Sequence, residues 1–411
     1  MSTLTQRIDR RLADLPTSLS LQWPGGRAGV SAPAVLLKLR RHHLLAHVAS
    51  GRIGDLADAY VRGELDIEGS LGDVMRVAGA LVGDPVRRGR RWPGLDWLAH
   101  LRSRWLHRRQ RDAHQVRFHY DAGDDFYALW LDPLRVYSCA YYPSPEATLT
   151  QAQQAKLDLI CRKLQLARGQ RLLDIGAGWG ALLVWAAQHY GVRATGITLS
   201  RQQLAHVGRL IEDLGLRGQI DMQLLDYRDL RPAEPYDRIA SIGMFEHVGR
   251  AQMDHYFGTL QRLLRPGGLL LNHAIAAGGL DNDELGGGMG RFIQQHIFPG
   301  GELVHVTQVA QGLARSGLEL LDVENLRPHY ARTLWAWSDG LERQLERARA
   351  CTSEATVRAY RLYLAGSAMC FERGWLSLYQ LLGARPEHHT GSVRHWATRS
   401  DYPYTRGHML R

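Results

Sequence analysis

The spacing of apolar and polar positions changes character along the chain. Up to about residue 82 it predicts a small, mainly helical unit. Leu36, Leu37, Leu44, Leu45 and Val48 fall near a helical period, and Ala57–Val77 reads as short elements joined by glycine turns. From about residue 118, short apolar runs alternate with helix-period stretches. Arg171–Ile175, Val192–Thr198, Ile220–Leu225, Asp237–Ile242 and Leu269–Ala274 read as buried strands. Gln151–Leu166, Ala181–Tyr190, Ser200–Leu214 and Gln252–Leu264 read as helices before and between them. That alternation predicts an α/β fold built on a doubly wound sheet. Two long helical patterns follow, Leu334–Ala350 and Glu354–Leu382, and the stretch after Arg385 predicts little regular structure. The expected division is 1–110, 111–385 and 386–411.

The strand Arg171–Ile175 runs into Asp174-Ile175-Gly176-Ala177-Gly178-Trp179-Gly180 and then into a helix. Glycine is needed where a backbone must turn sharply and approach a ligand closely. A dinucleotide loop would read G-x-G-x-x-G. The spacing here, G-x-G-x-G with an acid two residues ahead, is the S-adenosylmethionine form of the same sheet. The expected fold is therefore a Rossmann-like S-adenosylmethionine methyltransferase with a smaller N-terminal domain. Asp174 would approach the cationic amino-acid end of the cofactor, and Gly176, Ala177, Gly178, Trp179 and Gly180 would pass beneath the ribose. Asp226 closes the third strand, at the position that meets adenine in such folds. Thr198 and Ser200 close the second strand, where an acid usually holds the ribose hydroxyls, so Thr198 and Gln203 would take over that task.

Composition is globular, with 45% hydrophobic and 22% charged residues in 411. The net charge of +10 points to an anionic partner, nucleic acid or an acidic membrane. Lys38, Lys156 and Lys163 are the only lysines; arginine carries the rest. Arginines crowd residues 83–117, where Leu95, Leu98, Leu101 and Trp105 form an apolar stripe, a pattern suited to a membrane interface. No RNA-binding module or basic–aromatic platform accompanies them, so no nucleic-acid partner is expected. The four cysteines (Cys139, Cys161, Cys351, Cys370) form no C-x-x-C pair, and no metal site is expected. The N-terminus lacks the apolar core of a signal peptide. The longest uncharged run, Ile175–Val192, opens with alternating glycines and does not read as a membrane span. A cytoplasmic protein that docks peripherally on the inner face of the membrane is expected.

Further motifs occur in order: HYDAGDDFY (His119–Tyr127), YSCAYY (Tyr137–Tyr142), LDIGAGWG (Leu173–Gly180), GITLSRQQ (Gly196–Gln203), DYRDL (Asp226–Leu230), GMFEHVG (Gly243–Gly249), IFPGGEL (Ile297–Leu303) and HYARTLWAW (His329–Trp337). On these motifs, residues 115–382 resemble the cyclopropane-fatty-acyl-phospholipid synthases, including the mycolic-acid cyclopropane synthases. Gly51–Asp66 resembles the extra N-terminal domain of the longer, phospholipid-acting members. The resemblance implies that the methyl of S-adenosylmethionine is added across a cis double bond of an unsaturated phospholipid acyl chain, and that proton loss closes a cyclopropane ring. It implies cofactor contacts from Tyr137, Ser138, Asp174–Gly180, Thr198, Leu199, Gln203, Tyr227 and Arg228. It also implies a bicarbonate ion as base, caged by Cys139, Glu246, His273, Ile275 and Tyr330, and a homodimer.

The implied chemistry suits these residue types. An alkene is a weak nucleophile and must be aligned in a dry site. Aromatic faces stabilise the cation that methyl transfer creates, and Phe245, Tyr330 and Tyr141 are candidates. Glu246 would accept the bicarbonate O–H, while His273, the Tyr330 hydroxyl and the backbone N–H groups near Cys139 and Ile275 would donate to its oxygens. Gly286–Gly288, near Phe292 and Ile293, suits a movable flap at the acyl entrance. Two positions depart from the family. Ser367 stands where a cysteine is usual, and Asp124 where asparagine is usual. A relative that methylates acyl chains without closing the ring is the alternative.

Overall fold

The computed structural model describes Ile8 and residues 12–86, 123–280, 286–388, 398–399, 402–403 and 405–410. The basic junction at 87–117, with its Leu/Trp stripe, and the start of the first family motif (His119, Tyr120) lie outside the described residues.

The centre of the molecule is a seven-stranded sheet in the order β10-β11-β9-β8-β5-β6-β7. Its strands are β5 (Arg171–Ile175), β6 (Arg193–Thr198), β7 (Ile220–Leu224), β8 (Tyr236–Ile242), β9 (Leu264–Ala277), β10 (Glu319–Asn325) and β11 (Leu376–Ala384). β5 pairs parallel with both β6 and β8, and β9 continues parallel beside β8. The chain therefore reverses its direction of travel across the sheet at β5, which opens a crevice at the carboxyl ends of β5, β6 and β8. The predicted strands and the helices between them are all present, with ends shifted by a few residues. Local chemistry sets the helix starts: Thr148 and Gln151 form a capping box for Leu149–Lys163, and Ser200 caps Arg201–Asp213.

Two sequence expectations are corrected. The pattern Glu354–Leu382 is not one helix. The helix ends at Glu372, Gly374 turns at φ 71°, and β11 follows, antiparallel to β9 and to β10. The helical pattern Leu334–Ala350 is likewise two helices, Arg327–Glu342 and Leu345–Cys351. β11 is buried along most of its length, so its apolar run carries no alternation to distinguish it from a buried helix.

The N-terminal unit contains helices Leu44–Ser50, Ile53–Val61 and Leu71–Val82, but also a four-stranded sheet in the order β2-β1-β3-β4. Its strands are β1 (Leu19–Trp23), β2 (Gly26–Ala28), β3 (Val35–Leu39) and β4 (Leu65–Glu68). Leu36 and Leu37 are strand residues, not part of a helical face. The unit is clamped to the long helix Glu354–Glu372. Arg358 donates to the Tyr60 carbonyl (3.0 Å) and to Asp66 (2.9 Å), and Arg361 donates to the Tyr60 hydroxyl. Gly54 lies so close to Gly288 that a Cβ on it would stand 2.2 Å from the Gly288 carbonyl oxygen. The end of the chain is docked as well, with Arg162 donating to the Met409 carbonyl (2.8 Å) and Arg406 paired with buried Asp322.

Candidate active site

The crevice at the β5 switch point opens into a cavity of about 1260 Å³, counting its mouth. Gly176 (φ 76°) and Gly178 (φ 56°) hold the loop after β5 in left-handed backbone, and Gly176 N–H and Ala177 N–H both donate to the Ile197 carbonyl. A Cβ on Gly178 would meet nothing within 4 Å, so at that point the backbone itself faces open space. Tyr137, Ser138, Asp174, Ala177, Trp179, Thr198, Leu199, Gln203, Asp226, Tyr227 and Arg228 line the cavity with these glycines. Gly180 is the exception. It does not line the cavity, and it is glycine because a Cβ would stand 2.9 Å from Val207.

Several polar atoms in the cavity have no hydrogen-bond partner among the described residues. Asp174 is buried, its Oδ1 has no hydrogen-bond partner among the described residues, and burial pushes its carboxyl up to about 7. Thr198 donates to Gln203 Oε1 (2.6 Å), which turns the amide so that its buried Nε2 has no partner. Asp226 is different: both its oxygens accept from Arg228, through the backbone N–H (2.9 Å), Nε (2.8 Å) and Nη2 (2.6 Å). Donors, an acid and an exposed glycine backbone in one cavity fit a cationic amino acid joined to a nucleoside, as in S-adenosylmethionine.

The sequence reading missed two cavity residues with charge. Lys156 is buried, donates from Nζ to Ser138 Oγ (2.8 Å), and is pushed by burial down to about 8, with Asp174 nearby. The signal was in the composition, because two of only three lysines, Lys156 and Lys163, are buried on one helix. Arg135, with φ 54°, lines the mouth and pairs with Asp124 (3.1 Å).

A second, almost wholly apolar cavity of about 840 Å³ lies between the N-terminal unit, helix Met289–His296 and helix Glu354–Glu372. Ser367, Gly366, Phe292 and Ile293 line it. The two cavities approach at Tyr137, whose hydroxyl donates to that of Tyr363 (3.4 Å); Tyr363 lines the second. They approach again through Phe298, whose ring stands 6.0 Å from His247 of the first and 5.7 Å from Tyr363.

The five residues of the implied anion cage line neither of these two cavities. Ile275 N–H donates to Glu246 Oε1 (2.7 Å), and Glu246 Oε2 has no partner among the described residues. Burial pushes the Glu246 carboxyl up to about 7. His273 stands two residues earlier on β9, on the same face of the sheet as Ile275. Its Nδ1 meets Gln380 Nε2 (3.2 Å), its Nε2 has no partner among the described residues, and burial holds the imidazole neutral. Ile275 pairs with Leu378, whose carbonyl accepts from Leu326 N–H (2.9 Å); the Leu326 carbonyl accepts from Tyr330 N–H (3.0 Å) and faces Cys139 Sγ at 3.9 Å. A chain of contacts thus runs from Glu246 through Ile275, Leu378 and Leu326 to Tyr330 and Cys139. Cys139 is fully buried with Sγ turned to carbonyls, and burial pushes its thiol up, so it offers backbone and not a thiolate. Two aromatic candidates are misplaced. Tyr141 stacks on His329 (4.8 Å), and Phe245 is core beside Tyr256 and Phe257; neither lines either of these two cavities. Gly286–Gly288 forms a turn against Val82 and Ile53. Among the described residues no group of side chains could hold a metal, and no helix is long and apolar enough to cross a membrane.

Sheet order, glycine loop and cavity define an S-adenosylmethionine-dependent methyltransferase. Residues 107–381 match the family model described as mycolic acid cyclopropane synthetase, and the chain belongs to that family. It is 40% identical over 401 residues to a probable fatty acid methyltransferase of Pseudomonas putida, covering 97% of each chain. It is 39% identical to cyclopropane mycolic acid synthase 1 of Mycobacterium tuberculosis, over 64% of this chain and 94% of that one. Among solved structures, mycolic acid cyclopropane synthase CmaA1 complexed with SAH and CTAB superposes with a TM-score of 0.62 at 36% identity, over 66% of this chain and 98% of that one.

Proposed function

We propose that the protein transfers the methyl(ene) carbon of S-adenosylmethionine to a cis double bond of an unsaturated phospholipid acyl chain and forms a cyclopropane ring, with bicarbonate as the base. The observation that carries the reading is the pair of buried polar atoms without a partner among the described residues, Glu246 Oε2 and His273 Nε2, flanking Ile275. Buried polar atoms without partners are costly, and a small oxyanion with one O–H would satisfy both. S-adenosylmethionine supplies an electrophilic methyl when bound, and bicarbonate a proton acceptor.

The residues divide the remaining work. Asp174 and Gln203 offer an acceptor and a donor to the cofactor's polar ends. The glycine loop lets the backbone come close. The ionised Glu246 carboxylate accepts an O–H; the Gln380 amide at Nδ1 sets His273 as a donor through Nε2. The wall of Tyr127, Trp130, Tyr137 and Trp337, with ring centroids 5.3–5.8 Å apart at successive contacts, keeps water away from the junction of the two cavities. The arginine-rich junction would bring the enzyme to an anionic bilayer, at about 1 kcal/mol per well-placed arginine.

A second reading is favoured by the relative that matches nearly the whole chain, named for fatty acid methylation: methyl transfer without ring closure. Purified enzyme with unsaturated phospholipid vesicles separates the two. Both give a mass gain of about 14 units when a methyl is gained and a proton lost. A product that lacks olefinic protons and shows upfield ring protons supports cyclopropanation. A methyl-branched olefin overturns it and supports methylation.

A further inference from the structure

The apolar cavity has no assigned occupant. Resting on the proposed function, we infer that it houses the methyl-terminal segment of the acyl chain, beyond the double bond, and that the N-terminal unit forms the wall that limits that segment's length.

The lining is chemically one-sided. Leu37, Leu65, Met75 and Leu81 come from the N-terminal unit; Leu362, Tyr363, Gly366, Ser367, Met369 and Cys370 come from one stripe of the helix Glu354–Glu372. Among the described residues no charged side chain lines it, so these walls suit a hydrocarbon end and not an ester or phosphate. The stripe from Tyr363 to Cys370 runs about 10 Å along the helix at the usual rise per residue. One end is fixed by the Tyr137–Tyr363 contact, where the cofactor cavity begins. Beyond Cys370, the last lining residue of the helix, Arg373 packs on Gly79 of the N-terminal unit. A chain whose double bond sits at the tyrosine pair would extend its tail along this stripe, between Met75 and Gly366. The family model leaves residues 1–106 unmatched, so this wall is an addition to the shared catalytic unit.

Gly366 is the sensitive position. A Cβ there would meet only Met75 Sδ, at 3.9 Å, which is ordinary contact, so a longer side chain grows into the cavity. Glycine in a helix interior is also unfavourable, so Gly366→Leu is not expected to weaken the helix.

The test uses full-length enzyme with myristoleoyl, palmitoleoyl and oleoyl phosphatidylglycerol, whose chains share the carboxyl-to-double-bond distance and differ only beyond it. Turnover is read on vesicles, and binding on the matching lysolipids by calorimetry. Gly366→Leu should lower the oleoyl-to-myristoleoyl ratio in both readouts by about tenfold or more, the scale of misfit for a methylene or two. Met75→Ala, which widens the N-terminal wall, should shift the ratio the other way. Equal changes for all three chains in both variants overturn the inference. A shifted binding ratio with no product from the wild type sustains the cavity and overturns the reaction reading instead.

Discussion

The hydroxyls of Tyr137 and Tyr363 stand 3.4 Å apart, and each ring lines a different cavity. Transfer of a carbon from a polar cofactor to an oily chain requires such a meeting, because the two reactants need opposite surroundings and a shared dry point of contact. Replacing Tyr363 with Ala should merge the two spaces. Turnover should fall by about a hundredfold while S-adenosylhomocysteine binding, measured by calorimetry, changes less than about threefold. Melting should show a cost of about 3 kcal/mol for the lost aromatic volume. Tyr363→Phe, which keeps the ring, should retain most of the activity. Parallel loss of binding and turnover in both variants would mean that the tyrosine supports the cofactor site alone.

Glu246 makes the pH dependence specific. Its folded carboxyl is held protonated to about pH 7, against 4.5 ordinarily. Between those values the folded protein binds more protons than the unfolded one, so stability falls as pH rises through the window, by roughly 3 kcal/mol at most. Activity should move the opposite way, since the ionised carboxylate is the form that accepts an O–H, and turnover should climb through about pH 7. Glu246→Gln should flatten both profiles and lower turnover by about a hundredfold or more, with cofactor binding near normal. Equal loss of both would mark Glu246 as a structural cap.

Removal of carbonate species tests the anion directly. In buffer sparged free of carbon dioxide the wild type should lose most of its turnover and regain it on addition of bicarbonate. The Glu246→Gln variant should respond weakly. His273→Ala, which deletes the other partnerless atom, should raise the bicarbonate concentration needed for half-maximal rate by about tenfold, the weight of one charge-assisted hydrogen bond.

What was readable in the chain followed from constraints that act over a few residues. The loop Asp174–Gly180 was legible because Gly176 and Gly178 are demanded by backbone in the left-handed region, whatever the rest of the molecule does. β5, β6 and β8 were legible as short apolar runs set among helix-period stretches. β11 was not, since Leu376–Ala384 is buried on both faces and follows a helical stretch with only the Gly374 turn between. Nor was the apolar cavity, whose walls come from segments almost 300 residues apart, Leu65 and Leu362 among them. Phe245 and Tyr141 look as suitable as any aromatic until packing turns one into the core and the other onto His329.

Asp124 marks a departure with a measurable effect. It pairs with Arg135 at the mouth of the cofactor cavity, and the Arg135 guanidinium also lies 5.7 Å from the Trp179 ring. Partly exposed pairs of this kind contribute about 1 kcal/mol or less. Asp124→Asn should therefore raise KM for S-adenosylmethionine up to about fivefold and leave kcat almost unchanged. The effect should shrink in high salt, which a loss of packing would not do.

Lys156 offers the sharpest separation of positioning from packing. It is a buried cation that donates to Ser138 Oγ, and its attraction opposes the burial that pushes Asp174 up to about 7. Lys156→Met keeps the length and removes the charge. Without that neighbour Asp174 should take up its proton at still higher pH, so at neutrality the cavity loses the negative charge that meets the cofactor's ammonium. Binding of S-adenosylhomocysteine should weaken by about tenfold near pH 7 and recover as pH rises toward about 9, whereas the wild type should change little above neutrality. Stability need not fall, because deleting a buried charge also removes its desolvation cost. A variant that binds as tightly as the wild type at every pH would show that Lys156 only fills space behind Ser138.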